Sequence, residues 1–312
     1  MHIPDGFIDA RTAVTAAVIS AAGLAAALRR VRLTFPAHRV PLLGLTAAFV
    51  FAAQMLNFPV AGGTSGHMIG AVLAAVLVGP SAAAVVITAV LIIQCFLFAD
   101  GGISALGANI FNMGLVAPFA GYVIYRAVLG RSSDLRRRLL AIAFAAWCST
   151  VLAAICCAGE LAFAGTVPWR AAFPAMAGVH MLIGAGEAVI TALVFSAIQR
   201  TRPDLVASDR ATAEPAYGTA LALGLLIPAG LVLIVAPFAC PWPDGLERVA
   251  SRLGFAHKAA QPLLASPMPG YTFPILKSAV AATAVAGLVG TFVAFALAFV
   301  LARVLTPKPR NT

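Results

Sequence analysis

The chain has 312 residues, 61% of them apolar and only 10% charged, with a mean hydropathy of +0.97. Soluble domains carry about a quarter charged residues, so these figures exclude a soluble enzyme and a disordered chain and make lipid the solvent for most of the surface. The net charge of +10, from 21 Lys and Arg against 11 Asp and Glu, reads as basic loops that fix topology, with no nucleic-acid partner implied.

The apolar runs predict an all-α, polytopic transmembrane helix bundle of about nine spans, near 12–29, 40–57, 66–79, 81–98, 107–127, 139–163, 171–199, 217–238 and 277–305. The third run is too short to cross a bilayer unaided and ends at Gly79-Pro80; it is expected to lie among other helices, beside a cavity. With the N-terminus placed outside, the internal segments hold fifteen Lys and Arg and the external ones six. That asymmetry predicts an N-out/C-in orientation with an odd number of spans. No Lys or Arg precedes the first run at 1–10, whereas Arg29, Arg30 and Arg32 follow it. This is the reverse of a signal peptide's charge order. The bulk of His2 opposes removal of the initiator, so Met1 is expected to persist as an external terminus.

The organisation expected is a seven-helix part over 1–200, an internal polar linker over 201–216 and a two-helix part over 217–312. The last part contains an external loop, 239–276, with Pro-Trp-Pro-Asp-Gly-Leu-Glu at 241–247. A loop of that length is usually functional or disordered. Four of the five cysteines lie in apolar runs, Cys240 lies in the external loop, and no pair has CxxC spacing. Neither a disulfide framework nor a thiolate metal site is expected.

In lipid the polar residues carry the information. His67, Gln94, Asn109, Asn112, His180 and Glu187 lie in or beside apolar runs, so each needs a partner or a function. A helix–helix hydrogen bond is the ordinary alternative. His180 and Glu187 are two turns apart on one helical face, a spacing open to an internal structural pair or a proton relay. His67 follows the flexible run Gly62-Gly63-Thr64-Ser65-Gly66.

Met1-His2 offers three nitrogens in sequence. The terminal amine and the His2 amide nitrogen would close a five-membered ring on a metal ion, and the amide and His2 Nδ1 a six-membered one. One further imidazole completes a planar four-nitrogen set, suited to Ni(II) or Cu(II) and unsuited to tetrahedral Zn(II). Pro4-Asp5-Gly6 is a turn sequence that would fold the terminus back toward His67. The residues alone leave this reading level with that of an ordinary terminal histidine.

Three motifs decide further. Met-His-Ile-Pro-Asp-Gly at 1–6, Gly-Gly-Thr-Ser-Gly-His at 62–67 and the Asp-Gly-Gly…Leu-Gly-Ala-Asn-Ile-Phe-Asn-Met stretch at 100–113 resemble the CbiM/NikM family. These are the substrate-specific membrane components of energy-coupling-factor transporters for nickel and cobalt. His180…Ile183-Gly184…Glu187 resembles a later helix of that family. Pro-Asp-Gly-Leu-Glu at 243–247 resembles the small N component, here fused. The resemblance implies Ni2+ or Co2+ as transported substrate, held by Met1, His2 and His67, with Asn109 and Asn112 supporting the N-terminal segment. It also implies a transmembrane coupling (T/Q-type) subunit, cytoplasmic ATPase subunits and a bacterial plasma or inner membrane. No phosphate loop of the form Gly-x-x-x-x-Gly-Lys-Ser/Thr is present, so no ATP is expected to bind this chain, which is read as a non-enzyme. The alternatives are a stand-alone metal channel, a proton-coupled secondary transporter using His180 and Glu187, and a haem-binding membrane enzyme using His67 and His180; the last lacks a CxxCH motif.

Overall fold

The computed structural model describes residues 1–206 and 217–306. Most of the predicted linker, residues 207–216, and the C-terminal basic residues Lys308 and Arg310 lie outside that range. The helices in order are α1 (Ala10–Thr34), α2 (Val40–Gln54), α3 (Ala71–Val78), α4 (Pro80–Phe98), α5 (Leu106–Leu129), α6 (Leu135–Phe163), α7 (Trp169–Thr201), α8 (Tyr217–Gly230), α9 (Gly245–Leu253) and α10 (Ala279–Leu305). Two short strands, β1 (Phe58–Val60) and β2 (Thr64–Gly66), form an antiparallel hairpin before α3.

Seven of the described helical segments are long and apolar enough to cross a membrane: α1, α4, α5, α6, α7, α10 and the segment Leu221–Phe238, in which α8 runs on through a π turn. The apolar runs near 40–57 and 66–79 yield shorter helices. At 1.5 Å per residue, the 15 residues of α2 extend about 22 Å and the 8 of α3 about 12 Å. The reason in α3 is local. Gly70 and Gly79 take positive φ at its two ends, and Pro80 starts the next helix. All of α3 except Val76 is buried, so the short helix is enclosed by protein.

Small residues let the bundle close. Alanines dominate the buried positions of α6 and α10, where small side chains allow helix backbones to approach. In α5 the ladder loosens into a π stretch at Ile110–Val116, the kind of irregularity that often marks functional helices.

The connections sort to two ends of the bundle. At one end meet the N-terminal segment, the β hairpin, and the connections after α4, α6 and α8. They are tied by contacts between Met1 and Asp244, His2 and Asp100, and Thr166 and Phe7. At the other end Arg39 donates to the carbonyls of Leu77 and Leu205, at 2.9 and 3.0 Å. Those bonds gather the α1–α2 connection, the end of α3 and the chain beyond α7.

Candidate metal site

The first eight residues are folded into the bundle end. Met1 is 4% exposed, His2 9% and Ile3 fully buried. Buried main chain needs partners, and Ile3 has three. Its N–H donates to Asn109 Oδ1 at 2.8 Å, and its carbonyl accepts from Asn109 Nδ2 at 3.1 Å and from the Gly102 N–H at 2.8 Å. Asp5 Oδ1 accepts from the N–H and hydroxyl of Ser104, at 2.8 and 2.6 Å. Gly102 lies so near the Pro4–Asp5 backbone that a side chain there would overlap Asp5. The glycines at 101–102 therefore let a second chain segment run against the terminus.

This folding brings Met1, His2 and His67 together. The Met1 amine nitrogen is 3.1 Å from His67 Nε2 and donates to Asp244 Oδ2 at 2.7 Å. The His2 and His67 rings stack with centroids 5.4 Å apart and planes 21° off parallel. His2 Nδ1 is 3.2 Å from Asp100 Oδ1, and its Nε2 is 3.1 Å from Gln94 Oε1. Tyr271, from the loop before α10, donates its hydroxyl to Asp100 Oδ2 at 2.5 Å. Two donors bound to one ion at metal–nitrogen lengths of about 2.0–2.1 Å, at right angles, sit roughly 2.9 Å apart. The amine and His67 Nε2 are close to that separation, whereas the His2 ring is turned toward Asp100.

The electrostatics follow from burial and pairing. Burial disfavours the charged Met1 amine, but the charge and hydrogen bond of Asp244 outweigh it and raise the amine's pKa above the ordinary value. Burial likewise opposes ionisation of Asp244, yet the amine holds this carboxyl well below the usual range. His67, in the connection ahead of α3, is depressed by burial, by the amine's charge and by His2. It is a neutral imidazole with Nε2 turned to the amine, and its Nδ1 is 3.3 Å from the Met68 carbonyl. That is the second-sphere contact that orients a ligating imidazole. Among the described residues, no group of three or more His, Cys, Asp or Glu side chains is spaced to hold a metal ion.

The other singled-out residues divide. Asn109 grips Ile3, but Asn112, three residues on in the π stretch, donates to Glu160 Oε2 at 2.7 Å and so supports α6 rather than the terminus. His180 and Glu187 do not bond to each other. His180 Nδ1 donates to the Met176 carbonyl at 2.8 Å, while Glu187 accepts from the N–H groups of Ile69 and Gly70 at 2.6 and 2.9 Å. Glu187 thus anchors the turn that carries His67. Gln94 meets His2.

Asp100, Asp244, Tyr271 and Glu160 were not singled out by the sequence reading. For Asp244 the signal was the Pro-Asp-Gly-Leu-Glu motif, of which Pro243, Asp244, Gly245 and Glu247 make contacts at this site. The Pro243 carbonyl accepts from the Ser65 N–H at 2.9 Å, Asp244 caps α9 in a reciprocal capping box with Glu247, and Gly245 packs on His180. Arg248 donates to the Gly62 carbonyl at 2.8 Å.

Fold and site together define a multi-pass membrane protein whose chain start is clamped between two parts of the bundle. Residues 2–205 match the family described as the cobalt uptake substrate-specific transmembrane region, and 218–307 match the PDGLE domain. The chain is 38% identical over 310 residues to the putative fused nickel transport protein NikMN of Archaeoglobus fulgidus, covering 97% of this chain and 98% of that one. It is 37% identical to the fused nickel transport protein NikMN of Rhodobacter capsulatus, covering 74% and 73% of the two chains. A crystal structure of a truncated transition metal transporter superposes with a TM-score of 0.59 at 36% identity, over 64% of this chain and 99% of that one. The chain belongs to the cobalt uptake substrate-specific transmembrane family, with a PDGLE domain fused behind it. It is a metal transport protein, not an enzyme.

Proposed function

We propose that this chain is the substrate-binding membrane component of an ATP-driven energy-coupling-factor importer for divalent nickel, with cobalt as the second candidate ion. The ion is held in a near-planar set of four nitrogens: the Met1 amine, the His2 amide, His2 Nδ1 and His67 Nε2. The observation that carries this reading is the 3.1 Å approach of a buried terminal amine to a neutral imidazole. On binding, the amine gives up its proton and its bond to Asp244, the amide ionises, and the His2 ring turns Nδ1 from Asp100 to the ion. Gln94 Oε1, 3.1 Å from His2 Nε2, then accepts a hydrogen bond from the N–H at the far ring nitrogen. Planar nitrogen coordination with an ionised amide favours nickel over cobalt and excludes zinc. The nickel names of the fused relatives support the same preference.

Residues 1–200 form the capture part and 217–312 the PDGLE part. The orientation is N-out/C-in with nine traverses, in the inner membrane of a bacterial cell. Its support is the alternation of the connections between two ends, with the site at the outer one. A transmembrane coupling subunit and cytoplasmic ATPase subunits would complete the importer. The test is a Ni(II) titration of protein with a native N-terminus beside protein carrying one added residue ahead of Met1. Tight one-to-one binding lost on extension is expected. Equal affinity in both would overturn the four-nitrogen site.

A further inference from the structure

A third imidazole lies beside the capture set and belongs to none of its four positions. His180, on α7, is 2% exposed. Its Nδ1 donates to the Met176 carbonyl at 2.8 Å, which fixes the tautomer and leaves Nε2 with its lone pair and no hydrogen-bond partner among the described residues. A ring nitrogen tied to a carbonyl while the other stays free is the arrangement of an imidazole prepared to ligate. His67 shares the tie to a carbonyl, through Met68, but its Nε2 faces the Met1 amine at 3.1 Å. A narrow pocket is lined by Met1, His67, Thr150, His180, Asp244 and Gly245, so His180 shares one space with two of the capture donors. The glycine at 245 is needed there, since a Cβ would stand 2.7 Å from His180 Cε1 and 2.8 Å from Nε2.

We propose that His180 is a transfer ligand: its Nε2 adds to the ion as one donor of the planar set leaves, and the reverse step restores the set. This rests on the capture reading above. A planar d8 ion exchanges ligands by adding a fifth donor above the plane before one of the four leaves, and a free neutral imidazole facing the same pocket is suited to be that donor. One metal–nitrogen bond forms at His180 and one breaks in the planar set; no electron moves. Among the described residues no group of three or more His, Cys, Asp or Glu is spaced to hold the ion, and the second position serves as a waypoint rather than a store. A ligand that only speeds exchange acts on loading and release by one factor and leaves the equilibrium alone.

The experiment measures the rate of Ni(II) loading and the rate of Ni(II) loss to excess EDTA, with a native N-terminus, alongside equilibrium affinity. In His180→Gln both rates are expected to fall about tenfold or more while the affinity stays within about threefold. His180→Met, which restores a soft donor, recovers part of the rate. Gly245→Ala keeps His180 but fills the space at its edge, and is expected to slow both rates likewise, so the test survives a poorly folding His180 variant. Rates unchanged in both His180→Gln and Gly245→Ala overturn the proposal, as does a loss of affinity matching the change in only one rate. The one-residue extension separates the two readings. Tight binding lost on extension, with exchange rates unaffected by His180→Gln, sinks the transfer ligand alone. Tight binding kept on extension sinks the capture set itself.

Discussion

Asn109 and Asn112 stand one helical turn apart and meet different partners. Asn109 makes two hydrogen bonds to the Ile3 main chain, both buried. Its replacement by Ala leaves a buried N–H unpaired, at a cost of about 1–3 kcal/mol. The terminus is then no longer held over His67, and Ni(II) affinity is expected to fall by roughly ten- to a hundredfold. Asn112 donates to Glu160, so Asn112→Ala is expected to leave affinity within a few-fold and to lower thermal stability instead. Titrating both variants beside the wild type checks the contrast. A second expectation at this scale is a proton count. Burial opposes the amine's charge, but nearby acidic groups, Asp244 foremost, raise its pKa above the ordinary value, and the His2 amide is protonated in any free chain. Loading therefore releases two protons, and log affinity rises with pH at a slope near two below the amine's pKa. A site made only of neutral imidazoles would give a slope near zero around pH 7, a difference that calorimetry in buffers of unequal ionisation heat resolves.

The helix α9 is only nine residues long, and its start is where both parts of the chain meet. Asp244 accepts the Glu247 N–H with one oxygen at 2.8 Å and the Met1 amine with the other at 2.7 Å. Asp244→Ala removes a helix cap, which costs about 1 kcal/mol, and also strips a buried cation of its partner. Glu247→Ala removes only the return bond to the Asp244 N–H. The first variant is expected to lower thermal stability clearly more than the second, by several degrees in a melting experiment. Equal effects would mean that the ion pair with Met1 contributes nothing. The cap had a local signal that the expected loop at 239–276 passed over, because Asp-Gly-Leu-Glu is a capping-box pattern and starts a helix there. No such signal announced the amine, since that pairing joins residues 243 positions apart and no local rule spans such a distance. His180 and Glu187 illustrate the same limit. Their spacing placed them on one face of α7, correctly, but which groups faced them depended on the β hairpin and on α9. The meeting of Met1, His2 and His67 was legible because the motifs that carry them are local and specific. Asp100 and Tyr271 were not, since their role exists only once the loop before α10 lies over the end of α4.

Across the whole molecule, the alternation of connections is the feature that most constrains transport. The proposed capture site, built from the N-terminal segment and the connections folded against it, requires all of them on one side of the membrane, which the proposed orientation makes the outer one. The short helix α3 matters to this count. It begins just beyond His67 at the site end, and Leu77, near its far end, is bonded to Arg39 at the opposite end, so the proposed nine traverses count α3 with its flanking turns as one although the helix extends only about 12 Å. Removing that traverse would reverse every later connection and put Asp100, Thr166 and Asp244 on the side away from Met1. Cysteine labelling tests the arrangement directly. In a variant lacking the five native cysteines, Ala265→Cys, exposed in the loop before α10, is expected to react with a membrane-impermeant maleimide in intact cells. Ser133→Cys, exposed between α5 and α6, is expected to react only after permeabilisation. Labelling of both from outside would break the alternation, and reversed labelling would put the capture site on the cytoplasmic face, where an importer has no use for it.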